Sequence, residues 1–198
     1  RTYDALISLI GSGIWNMKEL VNILYSRQLL KQPSQTHLAQ YIKNLERMSI
    51  IENIRIYKAH GNYYRHISPI ANVYYYLDSR YDITNRDITF SEVKPTIEKL
   101  FTIEIQHFIA DLFAELYEGR KEYFISPDRE IDFIITRRNK LVRIGEVKWK
   151  KLTTTDVEKF RRNSAFLTGK KVLICKEASF SDSEIEIIDA KALVKMII

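Results

Sequence analysis

Three charged residues stand inside apolar, strand-like segments near the middle of the chain. Asp132 lies within "IDFIIT", and Glu146 and Lys148 lie two residues apart within "GEVKW". Because side chains alternate along a strand, Glu146 and Lys148 share one face and Val147 points to the other. An odd number of residues in the turn around 138–140 would place Asp132 on the face of Glu146.

This arrangement of charges predicts metal-dependent chemistry. Two carboxylates on one face repel each other unless a cation lies between them. A few oxygen ligands suit Mg²⁺ or Mn²⁺, which keep several waters and take phosphate oxygens as well. Asp132, Glu146 and the carbonyl of Val147 are the candidate ligands. Lys148 could orient or deprotonate an attacking water, or stabilise charge on a phosphate. The pattern therefore favours phosphodiester hydrolysis; the alternative is the solvent face of an edge hairpin with cross-strand ion pairs.

The elements around these residues predict a mixed sheet with helices packed on it. From Pro95 to Gly119 the pattern is helical, with a broad apolar face. That face comprises Ile97, Leu100, Phe101, Ile105, Phe108, Ile109, Leu112, Phe113 and Leu116. "KEYFISPD", "IDFIIT" and "LVRIGEVKW" follow as strands, "TTTDVEKFRRNSAFL" as a helix, and "KKVLICK" as a buried strand. The order is α-β-β-β-α-β, and "EIEIID" and "AKALVKMII" add a short strand and a last helix through Ile198.

The first part of the chain has a different pattern. Helices are predicted over 3–10, 16–24 and 34–49, with Asn16 and Ser34 as N-caps. The third carries an apolar stripe at helical spacing: Leu38, Ile42, Leu45 and Met48. Alternating residues then flank the turn signal "HGN" at 60–62, which predicts a hairpin. Three helices followed by a hairpin is the order of a winged helix, in which the third helix enters a DNA groove.

The distribution of charge favours a polyanionic partner for this first part. The net charge of the chain is +6, and residues 1–80 hold ten Lys and Arg against five Asp and Glu. DNA is therefore the expected partner. The candidate contacts are Gln35, His37 and Lys43 on the third helix, and Arg55, Lys58, His60 and Arg65 on the hairpin. The alternative is a winged helix used for protein contacts or as a spacer between domains.

The remaining composition bounds the class of protein. Hydrophobic residues make up 45% and charged residues 28%, as in ordinary soluble domains. No apolar run approaches the roughly 20 residues that span a bilayer, and no signal peptide is recognised. One cysteine, Cys175, excludes an internal disulfide, is expected in the core, and favours a cytoplasmic setting. The aromatic stretch 71–84 is expected to pack the hairpin against its own domain, the alternative being base stacking.

The motif residues resemble a known superfamily. Asp132, thirteen residues, and then Glu146-Val147-Lys148 is similar to the core motif of the PD-(D/E)xK nucleases. The α-β-β-β-α-β order resembles their restriction-endonuclease-like core. The resemblance implies that the two acids bind metal, that Lys148 assists catalysis, and that Glu104 is the acid on the first helix. The literal "PD" is Pro127-Asp128, which leaves Asp128 as a second candidate for the motif aspartate.

A closer resemblance covers nearly the whole chain. "EIDFII" with "GEVKWK" is similar to the C-terminal domain of a family of archaeal P-loop ATPases of unknown function, in which a winged helix precedes a nuclease-like domain. It implies an ATPase domain outside this chain, since Gly169-Lys170 is followed by Lys171 and forms no P-loop.

The patterns together predict an α/β chain of two domains. Residues 1–84 form an α+β winged helix-turn-helix domain, and residues 85–198 form a PD-(D/E)xK nuclease-like domain. The function expected is that of a DNA-binding, Mg²⁺- or Mn²⁺-dependent endonuclease-like module. The alternatives are an inactive nuclease-fold module for DNA binding or assembly, and a winged-helix transcription regulator.

Overall fold

The computed structural model describes residues 1–197 and has the predicted α/β character. Seven helices and seven strands lie within that range. The helices are α1 Thr2–Gly11, α2 Met17–Ser26, α3 Gln35–Arg47, α4 Pro69–Tyr81, α5 Phe90–Leu116, α6 Thr154–Asn163 and α7 Ala190–Lys195. The strands are β1 Ile51–Ile56, β2 Asn62–His66, β3 Arg120–Ile125, β4 Glu130–Arg137, β5 Lys140–Lys151, β6 Lys170–Glu177 and β7 Ile185–Ile188. The predicted end of the last helix, Ile198, lies outside the described residues.

The chain divides into two compact units. The first comprises Arg1–Arg55 and Ala59–Phe101, and the second comprises Ile56–Lys58 and the chain from Thr102 onward. The division falls within α5, whereas the composition of the sequence suggested a boundary between residues 84 and 85. No helix among residues 1–197 combines the length and the apolar character needed to cross a bilayer.

The helices of the first unit form where their caps and apolar stripes predict them. The Asn16 side chain accepts a hydrogen bond from the Glu19 N–H at 2.9 Å, which satisfies one of the free N–H groups at the start of α2. Leu38 and Ile42 of α3 are buried in the core of this unit. Met48 was predicted to extend that stripe, but it follows the last turn of α3 and is 57% exposed.

The hairpin of the first unit pairs β1 with β2 in antiparallel register. Its turn includes Gly61, whose φ of 147° a residue with a side chain rarely adopts, as the "HGN" signal predicts. The aromatic stretch that follows belongs to α4, a helix that the sequence pattern did not reveal. Tyr75 of α4 stacks on His66 of β2, with ring centroids 5.3 Å apart. The stretch therefore packs within its own unit, as expected.

The sheet of the second unit has the strand order β3-β4-β5-β6-β7. The first three strands pair antiparallel, and β5, β6 and β7 pair parallel. One apolar cluster joins α5 to the sheet, for example through Phe113 and Phe133. A second cluster joins α6 to the sheet, for example through Phe160 and Ile144. Cys175 belongs to this second cluster and is fully buried, which confirms its predicted place in the core.

Helix α5 begins five residues before its predicted start and carries Pro95 inside it. Its buried side is narrower than the nine apolar residues suggested. Ile109 and Phe113 are fully buried, whereas Phe101 and Phe108 are 62% and 59% exposed. The apolar residues of α5 thus range from fully buried to largely exposed, and the sequence pattern did not separate them.

Candidate active site

The turn between β4 and β5 has two residues, Arg138 and Asn139. Both adopt the left-handed conformation, with φ of 50° and 62°, as in the two-residue turns that suit twisted hairpins. Two is an even number. With this turn alone, Asp132 would lie opposite Gly145, and Glu146 would point to the other face.

A β-bulge in the hairpin shifts that register by one residue. The register shifts after Ile135, which pairs with Arg143, so that Val142 is an extra residue on β5. Beyond the bulge, Phe133 lies opposite Gly145. The ladder between β4 and β5 ends at this pair, and a second register shift, between β3 and β4, lies beside Asp132. The two acids meet at this end of the ladder, where both line one cavity and Asp132 accepts the Val147 N–H.

Gly145 is needed because an aromatic ring crosses its backbone. A Cβ at this position would lie 1.9 Å from Cζ of Phe133, closer than any real contact. The Phe133 ring also packs against Phe113 of α5, with centroids 5.3 Å apart. The glycine therefore lets β5 approach β4 closely just before the acidic residue.

Asp132 ties the two strands together where their ladder ends. Its Oδ2 accepts a hydrogen bond from the Val147 N–H at 2.7 Å and a longer one from Gln106 Nε2 at 3.3 Å. Burial raises the pKa of Asp132 to about 7, the negative charge of Glu146 adds to the increase, and the positive charge of Lys148 opposes it. The proton on this carboxyl is therefore exchangeable near neutral pH.

Glu146 is buried, and its two carboxylate oxygens differ in their hydrogen bonding. The residue is only 5% exposed, and its Oε1 accepts a hydrogen bond from Lys148 Nζ. Its Oε2 is buried and has no hydrogen-bond partner. Burial raises the pKa of Glu146, and Lys148 works against that increase. A buried carboxylate oxygen with no partner costs free energy that a bound cation would offset.

Lys148 is positioned as a fixed positive charge. Burial lowers its pKa, but the negative charges of Glu146 and Asp132 outweigh that effect, and the net pKa is raised. The ammonium group therefore keeps its proton at neutral pH. A protonated Lys148 suits the stabilisation of negative charge and not the deprotonation of a water. The sequence alone did not distinguish these two roles.

These groups open into one cavity of about 480 Å³. Its lining includes Gln106, Asp128, Arg129, Glu130, Asp132, Glu146, Lys148, Lys159 and Asn163. Glu104, the predicted acid of α5, is not among the lining residues, and the α5 residue that reaches Asp132 is Gln106. Asp128 lies exposed in the loop between β3 and β4, whereas Asp132 hydrogen-bonds to β5.

The donor set fits a hydrated metal ion. Within residues 1–197, no group of three or more His, Cys, Asp or Glu side chains is arranged to hold a metal. Two carboxylates are present, and one of them offers the unpartnered Oε2 of Glu146. Mg²⁺ is commonly held by one or two carboxylates, with water and substrate phosphate as its other ligands. The residues therefore suit Mg²⁺ or Mn²⁺ with solvent ligands. The Val147 N–H is used by Asp132, and the role of the Val147 carbonyl stays a prediction.

The candidate DNA contacts of the first part of the chain differ in exposure. Six of the seven are exposed: Gln35, His37, Lys43, Arg55, Lys58 and His60. Arg65 is only 6% exposed and forms an ion pair of 2.6 Å with Glu52 on the neighbouring strand. Its guanidinium is held within the hairpin, a position that does not suit a phosphate contact.

Comparisons of the chain with protein-family models, with curated proteins and with solved structures found no match.

Proposed function

We propose that the chain is a DNA-binding, metal-dependent endonuclease-like module. In this proposal the first unit is a winged helix, and the second is a restriction-endonuclease-like core. The order α5-β3-β4-β5-α6-β6 supports the second assignment, and the order of three helices and a hairpin supports the first. The resemblance to archaeal ATPases extends the proposal to an ATPase domain that acts together with this module.

The observation that carries the proposal is the environment of Glu146. A carboxylate this buried is normally fully paired, yet only one of its oxygens has a partner. A second carboxyl, Asp132, lines the same cavity and has a pKa raised to about 7. Strained acidic pairs of this kind, open to a cavity, are typical of sites that bind a cation or transfer protons.

The residues would divide the work of hydrolysis. Asp132 and Glu146 would hold Mg²⁺, which when bound supplies Lewis acidity and a more acidic water. The Val147 N–H and Gln106 orient the Asp132 carboxylate. Lys148 presents a protonated amine that stabilises the negative charge growing on the phosphate during hydrolysis.

The first unit would bring the module to its substrate. The exposed residues Gln35, His37 and Lys43 lie on α3, the helix that would enter a groove. Arg55 and His60 belong to the hairpin that would act as the wing. Their contacts would go mainly to phosphates, so that binding weakens as the salt concentration rises.

Cleavage assays test the proposed activity. Plasmid, linear and branched DNA are incubated with Mg²⁺ or Mn²⁺, with EDTA as the blank. We expect cleavage that Glu146→Gln lowers by at least about a hundredfold, since removing one charge-stabilising group costs about 10² to 10³ in rate. Glu186→Gln is the matched control, because Glu186 is exposed on β7 and lies outside the cavity lining. Cleavage by Glu146→Gln at the wild-type rate would sink the proposal.

A second candidate is a nuclease-fold module that binds DNA or assembles with partners without cleaving. The closed ion pair between Lys148 and Glu146 favours it, since the lysine already has a partner. DNA binding with no cleavage in either metal would support this candidate. Sequence-specific binding to one duplex, unaffected by Asp132→Ala, would instead indicate a transcription regulator.

A further inference from the structure

Helix α6 places the side chain of Lys159 in the wall of the cavity. A capping box fixes its start: the Thr153 side chain accepts the Asp156 N–H, and the Asp156 side chain accepts the Thr153 N–H. Val157 and Phe160 are buried against the sheet. That orientation leaves Lys159 exposed, and it lines the cavity that holds the two acids.

Two cations near this helix are held in ion pairs. Arg161 binds Asp182 at 2.6 Å and Glu184 at 3.1 Å. Lys150 forms an ion pair with Asp156 at 3.0 Å. In the part of the chain that the structure describes, neither Lys159 nor Arg162 has an ion pair or a side-chain hydrogen bond. Of these two, Lys159 lines the cavity, where its positive charge opposes the rise in the pKa of Glu146.

The cavity needs a cation of this kind if it is to take an anionic substrate. Four acids line it (Asp128, Glu130, Asp132 and Glu146), and three cations face them (Arg129, Lys148 and Lys159), so the acids outnumber the cations around a phosphate. Lys148 is paired with Glu146, and Arg129 lies over the Phe166 ring at 5.4 Å. A metal ion would offset two of the carboxylates, and Lys159 is the cation that α6 contributes to the cavity.

We propose that Lys159, with Asn163 one turn later, binds the non-bridging phosphate oxygens of the DNA strand that enters the cavity. Both side chains line the cavity from α6 at a spacing of four residues, which places them on the same face of the helix. An ammonium and an amide provide the donors that a phosphate group accepts. Lys159 is thus a positioning residue for the substrate. The inference deepens the proposed function and rests on it for the identity of the substrate.

Lys159→Gln and Arg162→Gln form a matched pair for the test. Each removes one positive charge from α6, but Arg162 lies outside the cavity lining. DNA binding is measured with a labelled duplex in EDTA over a series of salt concentrations. We expect Lys159→Gln to weaken binding about tenfold, as for the loss of one hydrogen bond to a charged group. The slope of log K against log salt should fall by about one.

Further measurements separate positioning from a structural role. Lys159→Arg should restore binding, because arginine also donates to phosphate. In cleavage assays Lys159→Gln should raise KM and leave kcat nearly unchanged, as expected for uniform binding.

Equal effects of Lys159→Gln and Arg162→Gln on binding would overturn the inference. A fall in kcat with no change in KM would overturn it as well. If the wild-type protein cleaves no DNA in either metal, the proposed hydrolysis fails, and the binding comparison still decides the role of Lys159.

Discussion

Two hairpins of this chain each carry a carboxylate paired with a cation, and the two pairs are built differently. In the hairpin of β1 and β2, Glu52 and Arg65 lie directly opposite each other and form an ion pair of 2.6 Å across the strands. In the hairpin of β4 and β5, Glu146 and Lys148 lie on the same strand, two residues apart.

The surroundings of the second pair set it apart. Oε2 of Glu146 has no partner, the charge of Glu146 raises the pKa of the neighbouring Asp132, and a cavity of about 480 Å³ opens beside both acids. An ion pair by itself is therefore weak evidence of function, because it serves the fold as readily as a site. An incomplete pair next to a second acid is the more informative feature.

The largest effect is expected from removing each cation in turn. Lys148→Met leaves Glu146 buried without its partner and should lower the free energy of unfolding by about 3–4 kcal/mol at pH 8. Arg65→Met should also destabilise the protein, because Glu52 loses its partner. Mg²⁺ should recover part of the loss in Lys148→Met and none in Arg65→Met. Urea denaturation with and without Mg²⁺ measures the free energy of unfolding of each variant. An equal recovery by Mg²⁺ in the two variants would contradict a metal site that belongs to the β4–β5 hairpin alone.

The next effect concerns the close approach of backbone and ring at Gly145. Gly145→Ala places a Cβ 1.9 Å from Cζ of Phe133 and should cost about 2–3 kcal/mol, as overpacking of a core does. Gly13→Ala in the first unit is the control. Gly13 has φ of 101°, but its nearest neighbour would be 3.8 Å away, so only backbone strain of about 1 kcal/mol is expected. A smaller loss in Gly145→Ala than in Gly13→Ala, read from denaturation midpoints, would contradict the packing argument.

Changes in stability of opposite sign are expected when one acid of each hairpin is replaced by its neutral amide. The pKa of Asp132 is raised to about 7 in the folded state, from 3.8, so the folded form binds the proton more tightly. The contribution of Asp132 to the stability of the metal-free protein therefore falls as the pH rises from about 4 to about 7 and is constant above that. Asp132→Asn should remove this loss and stabilise the protein by about 1–2 kcal/mol at pH 8, with little gain near pH 4.

The matched variant in the other hairpin is Glu52→Gln. It weakens the pair with Arg65 and should destabilise the protein at pH 8. Melting temperatures in EDTA at the two pH values measure both variants. A loss of stability in Asp132→Asn at pH 8 would mean that its carboxylate is stabilising.

The smallest effect is expected at the turn between β4 and β5. Arg138 and Asn139 occupy left-handed positions that Asn and Gly prefer. Arg138→Asn combined with Asn139→Gly should stabilise the hairpin by about 1 kcal/mol, because it relieves left-handed backbone strain in a turn that prefers Asn-Gly. Because the bulge at Val142 sets the register of the acids, Mn²⁺ binding should not change. Altered Mn²⁺ binding in a well-folded variant would show that the turn sets the register as well.

Much of the second unit follows from local sequence patterns. The order of its strands and helices is predictable, since each apolar segment has a clear period and a capping or turn signal at its ends. The face of Asp132 was not. The prediction required an odd turn, whereas the turn has two residues, and register shifts with both neighbouring strands of β4 determine where Asp132 lies. Val142 alternates like any strand residue, so no local signal marks the bulge.

Other features depend on tertiary contacts that one sequence does not display. Gln106, Lys159 and Asn163 look like ordinary polar helix residues, and only their position along the cavity gives them interest. The start of α4 had a readable signal in Ser68 and Pro69, but its run of tyrosines masked the helical period. Arg65 looked like a basic hairpin residue until its pairing with Glu52 was known.

The most direct measurement is the location of Mn²⁺ in crystals of this protein. A soak with Mn²⁺ and an anomalous difference map would show where the ion binds. The account predicts a peak between the carboxylates of Asp132 and Glu146, which Glu146→Gln abolishes. A saturating soak that gives no peak at these two residues, or that gives the same peak in Glu146→Gln, would contradict it.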